Sequence, residues 1–538
     1  MEILFKSPLG SSNHKYKKRY IFKEFPFIKE SGVEDYLCFF PFTKSIPAKY
    51  YNKEAFVDSY DFLRNHSTTN LSTFKNEVNK HHRKLSLAFQ YLNEINTLNI
   101  HDNKVPDEEI DLMLFIDNDI HYNLLKLIEG VYSTFLSFIT HFIFVDEGKN
   151  PQAAQNVSSC IEKLRTTKLG YITKSYSNTI RNGIAHGDFT FGNYEIIYRD
   201  SKGNEERKNI SDIVQYFDDL IDLCNGISLG FRLFFISGID ILRENNINIP
   251  RQIMLEEIID NINFDRWRVK NFIEAKIGEK NQLVIFVENN YWEYISVLYL
   301  SMHTAVLAEK YASGFDRYFL SLKCKYAYKG SAGYDGKKLE ELRLCNCNNL
   351  QDYAESLENK YILFFPRVKL PNIFNKILNI ISIFKDNFKY EIDEIRTKLN
   401  RNIIDCRYLT IHRNGAYSII NGNIVLIKTE GDLVDTIHSN INYIVKKIIK
   451  EARKQSKTFH LTRHLRVGYL RVGIFTSDMR KRTLYHGGLR PEFLCAVELK
   501  RIKRINVPDL INTKILNIGK YKIFWHNNWQ GIKNVVAK

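Results

Sequence analysis

Arg181 and His186 stand five residues apart in the stretch SNTIRNGIAHGDFT, residues 177–190, with Asn182 directly after the arginine and Gly187 directly after the histidine. An imidazole takes or gives a proton near neutral pH, and a guanidinium offers a planar fork to phosphate. Together they supply what RNA cleavage without a metal needs. One group moves protons at the 2′-hydroxyl or the leaving oxygen, and a cation offsets the charge that develops on phosphorus. That chemistry leaves a 2′,3′-cyclic phosphate and a 5′-hydroxyl. On an ideal helix the two residues lie about 140° apart around the axis and about 7.5 Å along it, so they share no face. A helix that stops at Gly187 removes the difficulty, because His186 then occupies the last turn and the long Arg181 arm reaches the same space. Asn182 is placed to orient the histidine or the phosphate. A structural reading competes, in which both side chains cap their own helix's last carbonyls and pair with Asp188. With 15 histidines in the chain the spacing alone recurs by chance, so its surroundings carry the weight.

Those surroundings begin with apolar residues at helical spacing from Ile110 to Val145. A second stripe, Leu169, Ile172, Tyr176, Ile180 and Ile184, predicts one buried helix face running into the motif. Gly187 is suited to stop that helix. YEIIYRDSKGNEERKNI then reads as two short strands around a DSKGN turn, and SDIVQYFDDLIDLCNGISLGFRLFFI as a capped amphipathic helix. The unit is helix, helix, hairpin, helix.

RNGIAHG in this setting resembles the motif of the HEPN superfamily (higher eukaryotes and prokaryotes nucleotide-binding), whose ribonucleases carry an arginine, often a polar residue such as asparagine, three more residues and a histidine. The resemblance covers about residues 95–245 and is specific at Arg181, Asn182 and His186. It implies a helical domain, a metal-independent endoribonuclease, and a composite site formed where two such domains pair. Proteins of this kind are common among toxins, abortive-infection proteins and other antiviral effectors. A second copy is offered by DCRYLTIHRNG, where Arg407 and His412 repeat the five-residue offset. It is read as the end of a long helix, followed by the hairpin AYSIINGNIVLI with Asn-Gly at its turn and by another amphipathic helix. Tyr408 stands where the first copy has Asn182, and the apolar stripes are out of phase. A rival alignment superposes the two RNG triplets, matches Ile172 with Ile404, and puts Ser418 in the place of His186, which makes the second half degenerate. Capping is an equal reading of Arg407 and His412.

The expected architecture is α+β and predominantly α-helical. Residues 1–94 stay unassigned, 95–250 form the first HEPN-like bundle, and 251–365 an α/β connector in which QLVIFVE and YILFFP are strands flanking a helix. Residues 366–455 form a second HEPN-like bundle, and 456–538 a basic, mostly β domain. A composition of 44 % apolar residues supports packed cores, and the net charge of +16 favours a polyanion, foremost RNA, with transfer RNA among the candidates. MRKR and LKRIKR in the C-terminal part add to this, although AT-rich codon usage also yields lysine-rich chains. The eight cysteines have no framework spacing, MEILFKSPLG lacks a signal-peptide core, and the longest apolar runs, near 132–145 and 224–242, are short or interrupted by Arg232. These features suggest a soluble cytoplasmic protein away from membranes. No cofactor or metal is expected: LCNC with Cys324 lacks a fourth zinc ligand, HHRK reads as added positive charge, and YKGSAGYDGKK, residues 328–338, reads as a flexible loop. Arg482 and His486, four apart in RTLYHGG, read as coincidence.

The leading expectation is therefore an RNA endonuclease with a defence or toxin role, working as a homodimer or as an internal pseudo-dimer. The alternative is a non-catalytic RNA-binding or scaffold protein that uses the same helices to dimerise. DNA cleavage ranks last, because the sequence lacks an acidic cluster spaced to hold a metal.

Overall fold

The computed structural model describes residues 17–30, 36–43, 49–98, 109–150, 156–192, 195–262, 266–345, 350–367, a few of 371–381, and the strands of residues 403–526. Over that range the protein is a mixed α+β fold, mostly helical. Along the chain come α1 (Lys53–Thr69), α2 (Leu71–Thr97), α3 (Glu109–Phe115), α4 (Tyr122–Lys126), α5 (Ser133–Asp146), α6 (Val157–Arg165) and α7 (Asn178–His186). Strands β1 (Phe189–Phe191), β2 (Glu195–Arg199) and β3 (Glu205–Asn209) precede α8 (Ile210–Ser237) and α9 (Arg251–Ile262). Strands β4 (Trp267–Ile277) and β5 (Lys280–Asn289), helix α10 (Tyr294–Tyr311), strands β6 (Arg317–Cys324) and β7 (Gly330–Asp335), and helix α11 (Gly336–Leu344) follow. The last strands are β8 (Ile403–Asn414), β9 (Tyr417–Ile427), β10 (Val467–Ser477), β11 (Phe493–Glu498), β12 (Thr513–Ile518) and β13 (Tyr521–His526).

The chain divides into two discontinuous units. One gathers Met1–Asn93, Glu129–Thr173 and Asp222–Ile392, and the other Glu94–Ile128, Lys174–Ile221 and Asp393–Lys538. In the first, an aromatic core of Phe89, Phe135, Phe138 and Phe231 packs ring against ring, with centroids 5.5–6.3 Å apart. Gly226 and Gly230 let α8 approach the start of α1 closely. A Cβ on Gly226 would strike the Asn52 carbonyl, and one on Gly230 would lie 2.6 Å from the Phe56 carbonyl. The same unit holds the sheet β4-β5-β6-β7, in which β5 and β6 are parallel and α10 is their crossover. YILFFP, expected as a strand, contributes only isolated bridges such as Leu363 to Ser331, while β6 and β7 complete the sheet. YKGSAGYDGKK is likewise no loop: it forms β7 and the start of α11, whose N-cap Asp335 accepts from the Lys338 N–H at 3.1 Å.

Among the described residues, two helices are long and apolar enough to cross a membrane, Met113–Asp146 and Asp212–Ser237, with 56 % and 83 % of their most apolar windows buried inside the protein. Arg232, which interrupts the second, is itself buried, and its guanidinium lies 2.6 Å from the Glu256 carboxylate.

The second unit carries a three-stranded sheet, β1-β2-β3, and a six-stranded sheet in the order β12-β13-β11-β10-β9-β8. The six-stranded sheet corrects the expectation for the second motif. Arg407 and His412 do not end a helix; both lie on β8, antiparallel to β9. Ile403, Ile404, Tyr408, Thr410 and Ile411 are β-branched or aromatic, and such side chains fit a pleated surface better than a helix. AYSIINGNIVLI is no hairpin either, because β9 runs straight through its Asn-Gly, with Gly422 opposite Leu409, and the pairing closes instead between Asn414 and Tyr417. The bundle expected over 366–455 thus contains two strands that share a sheet with residues 467–526. MRKR, LKRIKR and RTLYHGG lie outside the described residues.

Candidate active site

The helix that carries Arg181, Asn182 and His186 is short. Leu169 and Ile172 belong to a 3₁₀ turn, Lys168–Thr173, and α7 starts afresh at Asn178. The single long helix expected from the apolar stripe is interrupted by Ser177, whose side chain accepts from the Ile180 N–H at 3.2 Å and so begins a new helix. The Ser177 hydroxyl also bonds to Glu206, and its N–H donates to the Tyr216 hydroxyl at 3.2 Å, so β3 and the start of α8 fix this cap.

At the other end, Gly187 adopts φ 68°, a left-handed conformation that side chains resist. The Asp188 N–H then closes back on the Gly183 carbonyl at 2.8 Å, and the Asp188 carbonyl accepts from the Arg199 N–H at 2.9 Å. Helix and hairpin are thereby tied at the point where His186 emerges. The Asp188 carboxylate lies 3.9 Å from the Arg199 guanidinium, so its ion pair is with the hairpin.

Gly183 faces β2. A Cβ there would meet Tyr198 Cβ at 3.1 Å and the Arg199 nitrogen at 3.3 Å, so the glycine sets how closely α7 sits on the sheet. Tyr198 is fully buried and shares a 2.8 Å hydrogen bond with His121 Nε2, from the π-helical segment Ile116–His121 between α3 and α4. The His121 ring meets Phe189 edge-on with centroids 4.6 Å apart, and its Nδ1 lies 3.5 Å from the Asp117 carboxylate. Burial pushes the His121 imidazole down to about 4 against the opposing pull of Asp117, and burial raises the Tyr198 phenol well above its usual range. A neutral imidazole and a protonated phenol match as acceptor and donor.

On this platform His186 is exposed, while Arg181 and Asn182 are half-buried. Arg181 Nη1 donates to Asn182 Oδ1 at 2.7 Å, so the asparagine steers the guanidinium rather than the imidazole. The arrangement leaves one imidazole open to solvent and, five residues before it on the same helix, one guanidinium oriented by its neighbour. Arg407 and His412, by contrast, are five positions apart on a strand, about 17 Å along its axis, and their side chains lie outside what the structure describes. Arg407 falls where the register of β8 against β9 slips between Cys406 and Tyr408.

Sequence reasoning missed His121, Tyr198, Glu206 and Tyr216. Burial alternates along EIIYR, with Ile196 and Tyr198 inward, but the sequence itself does not alternate there, and nothing local pairs Tyr198 with a residue 77 positions away. No protein-family model, curated protein or solved structure matches the chain.

Proposed function

We propose that the chain is a metal-independent RNA endonuclease of the HEPN type, acting in the cytoplasm in antiviral defence or as a toxin. The observation that carries this reading is α7 itself. Its cap at Ser177 and its left-handed stop at Gly187 deliver an exposed His186 and an Asn182-oriented Arg181 from one nine-residue helix. His186 exchanges a proton at the 2′-hydroxyl or the 5′-oxygen, and Arg181 offsets charge on the phosphorane. Attack by the 2′-oxygen on phosphorus forms the cyclic phosphate as the bond to the 5′-oxygen breaks, and that oxygen leaves with a proton. Since Arg407 and His412 lie on a strand, the second imidazole and guanidinium of a paired site come in this proposal from α7 of a second copy of the chain. Unrestrained cutting would poison its own cell, so activity waits on a trigger.

Purified protein incubated with transfer RNA in chelator tests this. The expected result is cleavage to 2′,3′-cyclic phosphate and 5′-hydroxyl ends that falls by about 10²–10⁴ in His186→Ala while RNA binding persists. Salt-sensitive binding without cutting would favour a scaffold, and cleavage that requires magnesium would overturn the mechanism.

A further inference from the structure

We propose that Glu77, His81 and His141 form a binding site for a divalent transition-metal ion of the zinc class, one that clamps α2 to α5. Glu77 and His81 are four apart on α2 and so share one face of it, and His141 arrives from α5. Each of the three offers a donor atom, and these atoms all lie within 4.8 Å of one another. Glu77 Oε2 is 2.7 Å from His141 Nε2, and the two imidazole centroids are 4.9 Å apart. Zinc held at about 2.0–2.1 Å in a tetrahedron sets neighbouring donors about 3.3 Å apart, within the 4.8 Å span of the three donor atoms.

An ordinary carboxylate–imidazole hydrogen bond does not account for the cluster. His141 is 6 % exposed, and among the described residues neither its Nε2 nor Glu77 Oε2 has a hydrogen-bond partner, although the two atoms nearly touch. Buried polar atoms left so are costly, and a shared cation between them removes that cost. His81 Nδ1–H donates to the Glu77 main-chain oxygen at 3.0 Å, which leaves the lone pair on Nε2, and the Phe138 ring centroid lies 5.7 Å from the imidazole. Two imidazoles and one carboxylate suit zinc, cobalt or iron(II) and suit magnesium or calcium poorly. Glu77 and His81 remain partly exposed, which gives an ion a way in and leaves the fourth position to water.

The full-length protein, stripped of metal, is titrated with cobalt(II) as a spectroscopic stand-in and with zinc chloride. One equivalent of cobalt should bind with tetrahedral visible bands and without a sulfur-to-metal band, and zinc should displace it and raise the melting temperature. Affinity should fall at least about a hundredfold in Glu77→Gln and in His141→Gln. If His141→Gln fails to fold, the partly exposed Glu77 and His81, each replaced by Gln, carry the test. Binding that survives in these variants, a thiolate signature, or no binding by the native chain would overturn the site. The readout is binding and stability, so the outcome stands whether or not the chain cuts RNA.

Discussion

His121 and Tyr198 show how a surface motif depends on residues that never reach solvent. Tyr198 lies directly behind Gly183, and its phenol is held by a histidine that burial keeps neutral. The unfolded chain binds a proton on that histidine near its ordinary value of about 6.5, whereas the folded chain binds one only near 4. Between those values the unfolded state therefore holds more protons, and stability drains away as pH falls through the window. The full effect is on the order of 3 kcal/mol, complete at about pH 4. His81 and His141 are shifted in the same direction, so the informative quantity is the difference between two proteins. Melting midpoints measured from pH 7 to pH 4 should fall less steeply in His121→Gln than in the native chain. Equal slopes would mean that His121 is protonated in the fold and that its bond to Tyr198 is not the one described.

At the scale of elements, what was legible in the sequence is what repeats at short range. The pattern YEIIYRDSKGNEERKNI specifies its own hairpin, because Asp200 accepts from the Lys202 and Asn204 N–H groups at 2.9 Å and Gly203 takes a left-handed turn. Gly187 ends its helix for reasons just as local. The break at Ser177 was not legible: one hydroxyl outweighs an apolar stripe that continues on both sides of it, since a cap satisfies amides that continued helix would use otherwise. DCRYLTIH carries an arginine and a histidine at the right offset, yet β8 exists because it pairs with β9, a partner the offset does not encode. Glu77 and His141 were invisible for the same reason, being 64 residues apart and joined only by packing. That packing rests on α8, whose Gly230 lies against α1. Gly230→Val would press new methyls on the Phe56 carbonyl, 2.6 Å from the first added carbon, and on Ser59 at 2.8 Å. A loss of about 1–3 kcal/mol or more follows, read as a lower urea midpoint. An unchanged midpoint would show that the helices do not approach this closely.

For the whole molecule the governing quantity is charge. An excess of 77 basic over 61 acidic residues attracts any polyanion, and under the proposed function a short exposed motif such as α7 would gain substrate from that field rather than from its own few contacts. If the partner is single-stranded RNA, each phosphate neutralised releases condensed counterions, and the logarithm of the binding constant falls with the logarithm of salt by about 0.7 per contact. LKRIKR concentrates four cations in six residues, at Lys500, Arg501, Lys503 and Arg504. Replacing all four by alanine in the full-length chain should weaken binding at low salt and flatten the salt slope by up to about 3, with little change where salt already screens the contact. Binding is measured on the His186→Ala background, so that cutting at the proposed site does not consume the probe. A slope identical to that of the parent would remove this segment from the RNA path and confine recognition to the surface around α7. A lost slope with undiminished affinity would mean that the partner is held by something other than its phosphates, and the polyanion reading of the net charge would fall with it.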